Sequence, residues 1–79
     1  MIYINEIIKQ DFILLGLHIK NLREERNLTI KDIALKTGIR AQYLKKIENG
    51  TAYGVRIEKH LYKIAEALSI KFVEIFKFR

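Results

Sequence analysis

The sequence predicts an all-α fold of five helices, preceded by a short N-terminal arm or strand. Apolar residues recur at helical spacing along most of the chain, no proline interrupts them, and the glycines fall between the periodic segments. With 79 residues the chain forms one small domain. We expect the arm over residues 1–10 and the domain over residues 11–79, a size that excludes most large active-site clefts.

Composition excludes several classes of protein. The chain is 49% hydrophobic and 30% charged, which is typical of a globular domain and not of a disordered tail. It has no Cys, so a disulfide framework and a thiolate metal site are excluded. The apolar run 12–17 is too short to span a bilayer, and no signal-peptide pattern precedes it. We therefore expect a cytoplasmic protein.

The first helix is predicted over about residues 12–26, with Asp11 as its N-cap and Asn27 as the left-handed residue that ends it. Its apolar stripe has the spacing i, i+4, i+7 and consists of Leu15, Ile19 and Leu22. Residues 1–10 are ambiguous, because Ile2 and Ile4 alternate as in a strand whereas Ile4, Ile7 and Ile8 have helical spacing. We favour the arm or strand.

Thr29 and Asp32 have the spacing of a capping box, which predicts a second helix over about 30–37 that ends at Gly38. A third helix is expected over about 40–48 and ends at the Asn49–Gly50 pair. After a loop over about 51–55, the fourth helix is indicated by apolar residues at i, i+4, i+7, i+8 and i+11. These are Ile57, Leu61, Ile64, Ala65 and Leu68. A short fifth helix is predicted over about 71–77.

Ala34 in the second helix and Gly38 in the following turn are the minimal components of a helix-turn-helix over about residues 29–49. The alanine permits close helix crossing, and the glycine permits a positive φ where the chain reverses. Together with the capping box and the sequence Glu48-Asn49-Gly50 that ends the third helix, these segments resemble the λ-repressor/Cro-type (XRE) helix-turn-helix regulators. The matching segments are LGLHIKNLREERNLT (15–29), IKDIALKTGIRAQYLKKIENG (30–50), LYKIAEALSI (61–70) and VEIF (73–76).

The resemblance implies a five-helix λ-repressor-like domain that binds double-stranded DNA as a homodimer on a pseudo-palindromic operator, probing the major groove with its third helix. Carried over by position, the base-reading residues are Arg40, Ala41, Gln42 and Lys46. We expect Gln42 to read adenine, Ala41 to contact a thymine methyl, and Arg40 and Lys46 to contact either a base or a phosphate. The residues expected to contact phosphate are Lys36, Tyr43, Lys45, Asn49 and Arg56, with a half-buried structural role as the alternative for Tyr43.

Charge distribution is consistent with this interpretation. Residues 33–57 contain five basic residues and one acidic residue, so they carry four of the six net positive charges. A localised basic segment is typical of a surface that binds a polyanion, although a solvated face has the same composition. The acidic residue in this segment, Glu48, is expected to make an electrostatic or hydrogen-bonding contact within the domain and not to act as a catalytic acid.

The sequence departs from the family pattern at three places. Arg40 replaces the small hydroxyl residue that usually caps the recognition helix, so this helix is expected to be uncapped or capped by another group. Ile30 replaces a polar residue, often Gln, that usually touches the DNA backbone. The loop after Gly50 is about two residues longer than usual and lacks its proline, with a turn expected at Tyr53–Gly54.

Other functions have weaker support. His18 and His60 lack the paired spacing of a metal site, so we expect surface or structural roles, no metal, no cofactor and no enzymatic activity. Apolar residues at both ends of the chain predict a dimer interface. Its C-terminal part consists of Phe72, Val73, Phe76 and Phe78. The alternative function is an antitoxin-like module whose apolar ends bind a toxin or another protein, with DNA binding for autoregulation.

Overall fold

The computed structural model describes residues 2–53 and 56–78, apart from the side chains of residues 2–8, 57 and 58. Four α-helices occur in this part of the chain: α1 (Ile2–Glu25), α2 (Ile30–Thr37), α3 (Ala41–Glu48) and α4 (Tyr62–Ala67). A π-helical turn (Ile57–Leu61) leads directly into α4, and a 3₁₀ helix (Phe72–Phe76) follows it. The described residues include no strand, which confirms the all-α class.

The N-terminal prediction is wrong. Residues 2–10 form neither an arm nor a strand, because α1 begins at Ile2 and continues without interruption to Glu25. Asp11 therefore lies inside the helix and is not its N-cap. The physical reason is that a helix, once nucleated, extends at little cost through a segment without glycine or proline, and none occurs before Gly16.

The centre of α1 packs closely against α3. Leu15 and Ile19 are buried on this side of the helix. Between them, Gly16 has no room for a side chain, because a β-carbon there would overlap the carbonyl oxygen of Ile47 and lie 2.6 Å from that of Glu48. A glycine is thus required where the two helix backbones approach each other.

The start of α2 confirms the predicted capping box. The Thr29 hydroxyl accepts a hydrogen bond from the backbone N–H of Asp32 at 3.0 Å, and the Asp32 carboxylate accepts one from the backbone N–H of Thr29 at 2.8 Å. The hydrogen bond from the Thr29 backbone, and to a smaller extent the one with the Thr29 side chain, holds the pKa of Asp32 below its ordinary 3.8. The entry into the helix-turn-helix is therefore determined locally.

The turn between α2 and α3 has the predicted left-handed glycine, with φ of 76° at Gly38. It is stabilised further by Thr37, which is buried. The Thr37 hydroxyl donates to the carbonyl of Ile33 at 2.7 Å and accepts from the backbone N–H of Ile39 at 3.1 Å. These bonds satisfy polar groups in a buried turn.

The C-terminal half closes the core beneath the helix-turn-helix. Its largest fully buried side chains are Leu61, Ile64, Leu68 and Ile75. The predicted fifth α-helix is a five-residue 3₁₀ helix instead. Short helices of this length commonly adopt the tighter 3₁₀ form. Among the described residues, no helix has both the length and the apolar character needed to cross a bilayer.

Candidate nucleic-acid interface

Helix α3 has one buried face and one exposed polar face. Leu44 and Ile47, each 3% exposed, point into the core, where α3 packs against α1 and α2. The exposed side chains follow the spacing i, i+3, i+4, i+7, which places them on one face of a helix and its C-cap. These residues are Gln42, Lys45, Lys46 and Asn49. The structure thus groups four of the residues that the sequence analysis assigned to DNA.

The N-terminal end of α3 is also exposed. Arg40 occupies the N-cap position with extended backbone angles and makes no side-chain hydrogen bond to the first turn. The prediction of an unusual helix start is thus confirmed. Arg40 is exposed and Ala41 is half-buried. Because the backbone N–H groups of a helix N-terminus carry partial positive charge, this end of α3 is electrostatically suited to an anion.

The remaining residues assigned to phosphate lie in different environments. Lys36 in the last turn of α2 and Arg56 before the π turn are both exposed. Tyr43 is half-buried, and its ring lies 4.8 Å from the ring of His60. A role in DNA binding stays a prediction for each of them. The loop turn expected at Tyr53–Gly54 lies partly outside the described residues.

A basic groove that was not predicted from the sequence lies beside the N-terminal end of α3. This groove is open, has a volume of about 520 Å³, and is lined on the α4 side by Lys59, His60 and Lys63. From the helix-turn-helix it is lined by the segment 38–40 and Tyr43. The i, i+4 spacing of Lys59 and Lys63 predicts that both lie on one helix face. It does not predict which other segment of the chain lies beside that face. We call this feature the Arg40–Lys63 groove.

His60 in this groove has an unusual environment. Burial lowers its pKa below the ordinary 6.5, and the positive charges of Lys59, Lys63 and Arg56 lower it further. Its Nδ1 atom is buried and finds no hydrogen-bond partner within residues 2–53 and 56–78. Both effects favour the neutral imidazole, and one of its polar atoms is unsatisfied by the rest of the described chain.

The structural roles expected for Glu48 and His18 are confirmed. Glu48 forms an ion pair with Arg23 of α1. His18 lies 2.8 Å through Nε2 from the carbonyl oxygen of Glu74, which ties α1 to the 3₁₀ helix. In the described part of the chain, no group of three or more His, Asp or Glu is placed to hold a metal ion.

Two of the four residues assigned to a dimer interface are exposed and two are partly covered within the chain. Val73 and Phe76 are 54% and 39% exposed. Phe72 stacks on Tyr62 with 4.7 Å between ring centroids, and Phe78 is half-buried near His18. The structure adds an exposed apolar stripe on α1 that the sequence analysis did not assign to a surface. It consists of Ile13, Leu14 and Leu17.

Comparison with known proteins supports the assignment of the helix-turn-helix. The sequence matches the family described as "Helix-turn-helix domain" over residues 16–77. It is 40% identical over 57 residues to the HTH-type transcriptional repressor RghR of Bacillus subtilis (strain 168). That match includes 72% of this chain but 42% of the repressor, so the chain spans less than half the length of this relative.

Two further relatives match along most of their own length. The uncharacterized HTH-type transcriptional regulator y4dJ of Sinorhizobium fredii (strain NBRC 101917 / NGR234) is 34% identical over 62 residues, 78% of each protein. The crystal structure of the restriction-modification controller protein C.AhdI from Aeromonas hydrophila superposes with a TM-score of 0.79 at 27% identity, covering 85% of this chain and 98% of that one. The family match, the relatives and the fold agree, and the chain belongs to the XRE-type helix-turn-helix family.

Proposed function

We propose that this chain is a sequence-specific, double-stranded DNA-binding regulator of transcription and that α3 is its recognition helix. The observation that carries the proposal is the division of α3 into a buried apolar face and an exposed polar face. Leu44 and Ile47 fix the helix against the core, so the side chains on the opposite face are free to enter a major groove. The names of the relatives, a repressor and a restriction-modification controller, support this class of function.

Base recognition is assigned to the N-terminal half of α3. Gln42 is exposed and has both a donor and an acceptor, the combination that pairs with the major-groove edge of adenine. Ala41 offers a methyl group to thymine. Arg40 and Lys46, also exposed, reach either guanine or the backbone. This arrangement distinguishes bases, whereas an architectural binder relies on cations and deformation of the duplex.

Backbone contacts are assigned to residues around α3. Lys45 and Asn49 share its exposed face with Gln42, and Lys36 and Arg56 lie on the flanking segments. Tyr43 completes the set through its hydroxyl. Neutralisation of phosphates by these cations contributes affinity without sequence preference and makes binding dependent on salt.

The proposed regulator acts as a dimeric repressor or controller on a pseudo-palindromic operator. A two-fold interface formed by the 3₁₀ helix and the chain ends would place two copies of α3 about one DNA turn (~34 Å) apart. The exposure of Val73 and Phe76 supports this interface, because large apolar side chains on a surface usually mark a contact. Phe72 and Phe78 would contribute their uncovered edges.

Selection of bound sequences from random DNA duplexes at two salt concentrations tests the proposed function. We expect one enriched motif with two-fold symmetry at both concentrations, since base contacts persist when phosphate contacts weaken. Binding without enrichment would contradict sequence-specific recognition. Absence of binding at the lower salt concentration would contradict DNA binding itself.

The dimer is tested by sedimentation of a variant carrying Val73→Glu and Phe76→Glu. We expect it to be monomeric at concentrations where the original chain is dimeric, because two buried carboxylates would oppose association. Leu35→Glu is the control, since Leu35 is 76% exposed on α2, outside the proposed interface. An original chain that is monomeric at micromolar concentration and stays so on addition of DNA would contradict the homodimer.

A further inference from the structure

We propose that the Arg40–Lys63 groove binds a DNA phosphate. In this arrangement α4 and the π turn contact the DNA backbone beside the N-terminal end of the recognition helix. This inference rests on the proposed function and extends the DNA-binding surface to Lys59 and Lys63. The ligand is one phosphodiester of double-stranded DNA.

The charge around the groove is one-sided. Among the described side chains, its lining includes three cations, Arg40, Lys59 and Lys63, and no carboxylate. Ion pairs elsewhere in the described residues join Arg23 to Glu48, Arg26 to Glu25 and Lys77 to Glu74, so they leave these three cations unpaired. Like charges facing one groove repel each other, and an anion held between them would offset that repulsion.

The wall of the groove offers hydrogen-bonding groups that the described chain leaves unused. The rings of Tyr43 and His60 lie 4.8 Å apart, and both residues line the groove. His60 Nδ1 is buried without a partner among the described residues. Buried polar atoms are nearly always hydrogen-bonded, and a phosphate oxygen, which only accepts, would satisfy this atom in the tautomer that carries its proton on Nδ1.

The groove lies beside the end of α3 that is proposed to read bases. Arg40 belongs both to the lining of the groove and to the exposed end of α3, whose N-terminal residues meet base edges in this class of protein. A phosphate held by Lys59 and Lys63 would therefore lie next to the bases read by α3. Contacts of this kind set the register of a protein on DNA without reading sequence.

The test is the affinity of a Lys59→Gln, Lys63→Gln double variant for the selected duplex and for an unrelated duplex, measured over a salt series. If the two lysines together neutralise one phosphate, the slope of log K against log salt decreases by about one, and affinity at 0.1 M salt falls about 10-fold for both duplexes. The control is Lys20→Gln with Lys71→Gln, which removes the same charge from two exposed residues outside the groove. We expect the control to bind within about threefold of the original chain.

The outcomes separate the two proposals. If the original chain binds DNA and the two double variants weaken binding equally, the groove makes no specific contact and this inference is overturned while the proposed function stands. If the original chain binds no duplex, the proposed function fails first. Unchanged thermal unfolding of the Lys59→Gln, Lys63→Gln variant shows that lost affinity does not result from lost folding.

Discussion

Arg23 of α1 and Glu48 at the end of α3 form a two-point ion pair, with 2.7 Å between Nε and Oε2 and 3.0 Å between Nη2 and Oε1. The third guanidinium nitrogen, Nη1, donates to the carbonyl of Leu28 at 2.8 Å. The side chains are 12% and 9% exposed. The hydrogen bond with Glu48 raises the pKa of Arg23. Because a carboxylate at a helix C-terminus is unfavourable by itself, this arginine both stabilises Glu48 and ties α3 to α1.

Removal of Arg23 alone is expected to destabilise the domain. Arg23→Met leaves the Glu48 carboxylate without its partner in a largely buried site, which lowers the free energy of unfolding by about 3 kcal/mol. The double variant Arg23→Met, Glu48→Leu should recover most of this loss, since no charge is then left unpaired. Urea denaturation of the two single variants and the double variant measures the coupling. Simple addition of the two single losses would contradict a direct interaction.

Substitution of Gly16 and of Gly38 by alanine is expected to lower the free energy of unfolding by different amounts. At Gly16 the new methyl group would strike backbone oxygens of α3, so Gly16→Ala should cost about 3 kcal/mol by forcing α1 and α3 apart. At Gly38 a β-carbon meets nothing within 4 Å, so Gly38→Ala bears the strain of its positive φ, about 1 kcal/mol. Thermal unfolding of both variants makes the comparison. Equal losses would show that the contact of α1 with α3 is not tight.

Two substitutions distinguish base reading from backbone binding. Gln42→Ala should reduce discrimination at one base position by about 1–3 kcal/mol, because a bidentate contact is lost. Lys36→Ala should weaken binding to all duplexes alike and reduce the salt slope by about one unit. Titrations of the selected duplex and its single-base variants provide both numbers. A uniform effect of Gln42→Ala would remove this residue from the base-reading set.

His60 should make folding dependent on pH near neutrality. Its pKa in the folded chain is lowered by burial and then by Lys59, Lys63 and Arg56, so the unfolded chain binds the proton more readily. Its contribution to stability is complete above pH 6.5 and is lost as pH falls from there through the folded pKa. Urea denaturation between pH 8 and pH 5 should show a smaller decrease for His60→Gln than for the original chain. Parallel curves for the two proteins would contradict the shift.

NMR titration offers a second measurement on His60. In the Lys59→Gln, Lys63→Gln variant two of the neighbouring positive charges are absent, so the pKa of His60 should rise toward 6.5 but stay below it because burial remains. The Lys20→Gln, Lys71→Gln variant should leave it unchanged. This result would place both lysines close to the imidazole independently of any DNA measurement.

Local chemistry explains which features were predictable from the sequence. The Thr29–Asp32 capping box, the left-handed residues at Asn27 and Gly38, and the uncapped start at Arg40 each depend on a few adjacent residues, and the structure confirms all of them. The arm or strand favoured for the N-terminus was wrong because a short pattern of isoleucines is compatible with both the strand period and the helix period. Local spacing there does not show how far α1 extends.

The all-α class and the helix-turn-helix follow from the sequence alone, since helical period and capping depend on neighbouring residues. Three relationships appear only in the folded chain: Glu48 pairs with Arg23, Gly16 lies against α3, and Lys59 and Lys63 share a groove with Arg40. The physical reason is that these relationships join segments far apart in the chain. They arise from how the helices pack against one core, which the pattern along a single helix does not specify.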